Sequence, residues 1–105
     1  MKRERRPTTP GEILAELFLR PHKVSIAKFA EAAGVTRKHM SAIVNGRAAI
    51  AAESATRIAT VLGTGAQVWL NLQNAIDLHD AGRKLMHGTK RPRHLSIFAT
   101  DKDAA

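Results

Sequence analysis

The chain has 105 residues, no cysteine, and a formal charge of +8 from 17 Lys and Arg against 9 Asp and Glu. That length holds one domain around a single core. The lack of cysteine excludes a disulfide framework or a thiolate metal site, as suits a reducing cytoplasm. No stretch is apolar and long enough for a transmembrane helix, and the basic start MKRERRPTTPGE lacks the apolar run of a secretory signal. A soluble, cytoplasmic protein is expected.

The charge is segregated. Residues 1–8 carry +3, residues 20–47 carry +5 and residues 83–105 carry +4, whereas 9–19 and 48–82 carry −2 each. A near-neutral body with one basic segment and two basic ends is what a polyanion-binding module needs. Residues 1–8 have no apolar side chain after Met1 and read as a flexible basic arm. Residues 87–105 are polar, basic and interrupted, and read as a tail; the folded domain is expected over 9–86.

The first helix begins at TTPGEILAELFL. Thr9 caps it, Pro10 takes the first helical position, and Glu12 stands three residues after the cap. Ile13, Leu14, Leu17 and Phe18 form its predicted apolar face, and Pro21 stops it. A second helix, IAKFAEAA, follows Ser25 and ends at Gly34; a third, RKHMSAIV, follows Thr36 and closes at Asn45-Gly46. A fourth is predicted over Ala52–Leu62 before Gly63, and a fifth over Ala66–Met86 with Val68, Trp69, Leu72, Ala75 and Ile76 on its apolar stripe. Strand patterning is absent except for LSIFA at 95–99. The expected fold is all-α, a five-helix bundle of the helix-turn-helix type with basic N- and C-terminal tails.

Two helices that cross steeply through a tight turn need a small residue at the crossing, a glycine in the turn and apolar anchors on both sides. Ala30, Gly34 and Val35 fill the crossing and turn positions; Phe29, Ala33, Met40 and Ile43 are the anchors. The outward side of the third helix opens with Thr36, Arg37 and Lys38, followed by His39 and Ser41. Cations at a helix N-terminus oppose the helix dipole by about 0.3–1 kcal/mol each, so two adjacent ones suggest an external anion. Arg and Lys also match guanine O6 and N7 in the major groove. Ser25 and Thr36 cap helices whose free N–H groups suit phosphate. Ala42 is small enough for close approach or a thymine methyl, Asn45 closes the helix, and Arg47 is placed to reach the DNA backbone. The DNA-contact set is thus Ser25, Thr36, Arg37, Lys38, His39, Ser41, Ala42, Asn45 and Arg47.

The segment Ser25–Gly46 resembles the helix-turn-helix of phage-repressor-type (Cro/C1, or xenobiotic-response-element) proteins. PGEIL at Pro10–Leu14 and LGTGAQVWLNLQNAIDL at Leu62–Leu78 look like the opening and closing helices of HigA/VapI-type antitoxins. The resemblance covers about residues 9–80. It implies a dimer that represses its own operon and neutralises a HigB-type RNase toxin. Where such chains usually carry Ser-Pro-Glu before the tryptophan helix, this one has Gly65-Ala66-Gln67 and loses a side-chain cap.

A two-fold dimer matches palindromic half-sites, and the apolar surface of the fifth helix, Trp69, Leu72, Ile76 and Leu78, is its expected interface, with core packing the other reading of Trp69. A small basic toxin would be met by the carboxylates of the two acidic stretches, Glu16, Asp77 and Asp80. His22, His39, His79, His87 and His94 have no mutual i, i+3 or i+4 spacing, so no metal or cofactor is expected. Neither a phosphate-binding loop nor a nucleophile motif occurs, and no enzyme activity is expected. A stand-alone transcriptional repressor without a toxin is the alternative. RNA binding ranks third, since aromatic stacking platforms are missing.

Overall fold

The computed structural model describes residues 6–98. Most of the expected arm and the end of the expected tail lie outside the described residues. Five α-helices and no strand occur among those described: α1 (Pro10–Leu14), α2 (Ile26–Ala33), α3 (Arg37–Val44), α4 (Ala52–Leu62) and α5 (Ala66–Met86). Within the described part of the LSIFA stretch, Ser96–Phe98 forms a 3₁₀ turn instead of a strand.

Thr9 caps α1 as expected, its Oγ1 accepting the Glu12 N–H at 3.1 Å. Beyond Leu14 the helix widens into a π turn over Ala15–Leu19, where the Arg20 N–H reaches back five residues to the Ala15 carbonyl at 2.9 Å. This corrects the predicted apolar face. Leu14 and Leu19, five apart, both enter the core, whereas Leu17 is 61% exposed. A wider turn brings residue i+5 onto the face that i+4 would occupy in a regular helix.

The glycine of PGEIL has a packing reason. A Cβ on Gly11 would collide with the Ile43 carbonyl and lie 2.8 Å from the Val44 Cα. The start of α1 therefore rests directly on the last turn of α3, and only a bare backbone allows that approach.

The core is one cluster in which Leu14, Met40, Ile43, Ile58 and Trp69 are the largest fully buried side chains. Trp69 stacks at a tilt on Phe18, with ring centroids 5.9 Å apart, and its Nε1–H donates to Thr64 Oγ1 at 3.0 Å. Trp69, Gln73 and Ile76 are the buried residues of α5. Trp69 and Ile76 therefore belong to the protomer's own core and not to an exposed dimer face. Leu72 is half-buried, Val68 is exposed and Leu78 is 74% exposed. None of the described residues after Ile76 is buried. The end of α5 after Asp80 runs past the body, every residue from 81 to 86 being exposed, because the helix is longer than the surface beneath it.

Candidate nucleic-acid interface

The turn between α2 and α3 fixes the geometry. Ser25 Oγ caps α2 by accepting the Lys28 N–H at 3.0 Å. Gly34 ends α2 at φ 73°, and the Val35 N–H closes on the Ala30 carbonyl at 3.0 Å. Two residues later Thr36 Oγ1 accepts the His39 N–H at 3.1 Å and starts α3. Ala30, where the helices cross, is 1% exposed.

Sequence reasoning missed Arg57, which braces this turn. Its Nη1 donates to the Ala33 carbonyl at 3.1 Å and its Nη2 lies 3.1 Å from Glu53 Oε2. A Cβ on Gly34 would stand 2.6 Å from the same Nη1. Gly34 is thus required twice, for its left-handed backbone and for the room it leaves Arg57. The local clue was a lone cation one turn after Glu53 in an acidic stretch; its partner at residue 33 is 24 positions away.

The third helix presents its basic end outward. Thr36, Arg37, Lys38 and His39 are all exposed. Counting 100° per residue, Lys38, Ala42 and Asn45 run down the side opposite Met40 and Ile43, with Arg37 and Ser41 on one flank and His39 on the other. Among the described residues, Arg6, Arg20 and Arg57 are held by carboxylates of Asp80, Glu16 and Glu53; Arg37, Lys38 and Arg47 are in no ion pair. The tip thus combines two unspent cations with the free N–H groups of a helix start.

Three of the expected contacts, Ser41, Ala42 and Asn45, are less open than the sequence suggested, and Ser41 is half-buried with its Oγ accepting from Asn45 Nδ2 at 3.3 Å. The chain after α3 doubles back, so the Ala42 carbonyl accepts from both the Arg47 N–H (2.8 Å) and the Ala48 N–H (3.1 Å), and Ala42 is half-buried. Asn45 Nδ2 donates to the Ser41 carbonyl at 2.9 Å, which leaves its Oδ1 for an outside partner. Arg47 is exposed on the loop beyond α3, apart from the tip cluster.

Gln73 was also missed. It is the one buried polar side chain among the described residues; its Oε1 accepts the Ile50 N–H at 2.9 Å and its Nε2 donates to Asp77 Oδ1 at 3.0 Å. It ties the loop carrying Arg47 to α5.

The three carboxylates expected to meet a toxin all have partners within the chain. Glu16 lies 3.4 Å from Arg20, Asp77 receives the Gln73 bond, and Asp80 is gripped by Arg6 at 2.9 Å. The Arg6 hydrogen bonds hold the Asp80 carboxyl below the ordinary carboxylate range, and Asp80 raises Arg6 in return. These are not vacant charges, although exposed pairs of this kind are weak and exchangeable. The histidines form no metal-type cluster among the described residues, and no helix there is long and apolar enough to cross a membrane.

A capped pair of crossed helices with an unpaired cationic tip defines a helix-turn-helix protein. The chain matches the helix-turn-helix family over residues 14–69, more than half its length, and belongs to that family. It is 43% identical over 74 residues to YbaQ, an uncharacterised HTH-type transcriptional regulator of Escherichia coli, a match covering 70% of this chain and 66% of that protein. The matched part is thus just under two thirds of that relative's length. Antitoxin HigA-1 of Vibrio cholerae is 37% identical over 96 residues, 91% of this chain and 90% of that one. The structure of Pseudomonas aeruginosa antitoxin HigA with the higBA promoter superposes with a TM-score of 0.72 at 35% identity, covering 81% of this chain and 97% of that one.

Proposed function

We propose that this chain is an operator-binding antitoxin that represses its own operon as a dimer and neutralises a small basic RNase toxin. The observation that carries the reading is the unpaired Arg37-Lys38 tip on a fold shared with an antitoxin solved on its promoter. Arg37 and Lys38 read base edges, with His39, Ser41 and the Asn45 Oδ1 beside them. Thr36 and Ser25 hold phosphates through their caps and helix N-termini, and Arg47 meets the backbone beyond the far end of α3. Ala42 is the smooth point on the reading face.

Leu78 carries the dimer contact, joined by Leu85 and Met86, because these are the large apolar residues of α5 left exposed after Ile76. Leu72 lies at its edge. A cationic toxin would approach the Glu16, Asp77 and Asp80 side and exchange with the internal cations there. The role requires no catalytic group and no cofactor, and it is exercised in the cytoplasm, where operator DNA lies. A stand-alone repressor remains the second reading, favoured by the YbaQ match.

Co-expression with the adjoining small reading frame decides between the two. The antitoxin reading expects growth arrest by the neighbour alone, rescue by this chain, and co-purification of the two. A harmless neighbour, or one that forms no complex, leaves the stand-alone repressor.

A further inference from the structure

A cleft of about 180 Å³ lies where the start of α1, the loop after α3 and α5 meet, and it gathers four charged side chains: Arg6, Arg47, Asp77 and Asp80. Arg6 grips Asp80 with two parallel bonds, Nε to Oδ1 at 3.0 Å and Nη2 to Oδ2 at 2.9 Å. Asp77 Oδ1 accepts from Gln73. His79 Nδ1 lies 3.5 Å from Asp80 Oδ1. Arg47, on the rim of the same cleft, is in no ion pair among the described residues.

Arg47 is the side chain placed to meet the DNA backbone, yet two carboxylates of α5 share its cleft. A guanidinium is drawn to a carboxylate fork as readily as to a phosphate, since both accept its paired N–H donors. Were Asp80 unpartnered, Arg47 would have an internal anion in the same cleft competing with the external one. The two-pronged grip of Arg6 occupies that fork and weakens the competition. We propose that Arg6 is a positioning residue for DNA binding: by engaging Asp80 it keeps the α5 carboxylates from capturing Arg47 and leaves that guanidinium to a DNA phosphate. The inference rests on the placement of Arg47 at the DNA backbone. Arg6 acts through Arg47 without contacting DNA.

The salt dependence of binding separates this role from a purely structural one. Each phosphate neutralised steepens the fall of log affinity with log salt by about 0.9, and anisotropy titration of a random-sequence duplex reads the magnitude of that slope. Arg47→Ala should lower it by about 0.9 per protomer. An unchanged slope there means that Arg47 is not at the backbone, and the underlying placement fails together with the inference. Given that drop, Arg6→Ala should lower the slope in the same direction by no more than Arg47→Ala does, and Arg6→Ala with Asp80→Asn should restore it. Arg6→Ala with Arg47→Ala should lose no more than Arg47→Ala alone. Arg6 is half exposed, so these variants keep the fold, which circular dichroism checks. A slope untouched by Arg6→Ala overturns the inference while leaving Arg47 in place. So does a drop that Asp80→Asn fails to rescue, or one additive with Arg47→Ala; either would put Arg6 on the DNA itself.

Discussion

The α2–turn–α3 unit and the far half of α5 are both amphipathic, but only the first is finished within one protomer. In the unit, both helix starts are capped by hydroxyls, the turn is closed by Gly34, and Phe29, Met40 and Ile43 are buried. The large side chains left exposed there are polar: Lys28, Glu31, Arg37, Lys38 and His39. Beyond Ile76 the situation is reversed: Asp77 and Asp80 still face the body, but Leu78, Leu85 and Met86 stand in solvent, and every residue from 81 to 86 is exposed. The difference separates two uses of surface. A rigid frame with unspent cations suits a polyanion, and an apolar helix end left uncovered suits another protein chain.

Substitutions on the two halves of α5 should therefore behave oppositely, and the largest effect is expected at Trp69. Trp69→Ala removes a fully buried ring and should cost about 3–5 kcal/mol in urea unfolding. Gln73→Ala comes next: it strips the buried Ile50 N–H of its acceptor, at about 1–3 kcal/mol, and frees the Arg47 loop from α5. Leu78→Ala should change protomer stability by no more than about 0.5 kcal/mol, while Leu78→Lys should raise the dimer dissociation constant in sedimentation. A Leu78→Lys chain that remains as dimeric as the parent would place the contact elsewhere and dissolve the contrast.

The sequence carried the frame well where local rules suffice. The bounds of α2 through α5 follow from Ser25, Thr36, Gly34, Gly63 and 3.6-residue periodicity, and the structure places those helices where these signals put them. The π turn was invisible, because a pattern read at i+4 assigns Leu17 inward and cannot show that Leu19 takes its place. Gln73 and Arg57 were invisible for a different reason: their partners are Ile50 and Ala33, 23 and 24 residues away, and neither residue type announces a distant backbone group. Trp69 and Ile76 show a third limit. Apolar spacing marks a side chain for burial, but whether its own chain or a partner covers it depends on packing. The basic tip of α3 was legible because its residues are adjacent in sequence and conflict with the helix dipole.

The central claim is that this tip reads operator bases, and Arg37→Ala with Lys38→Ala tests it most directly. Both side chains are exposed and outside the core, so the fold should survive. Anisotropy titrations would compare the promoter of the chain's own operon with a scrambled duplex at one salt concentration. Each lost base contact is expected to cost about 1–3 kcal/mol, so the folded double variant should bind both duplexes alike. Undiminished preference for the promoter in that variant would contradict the account and place recognition on another surface.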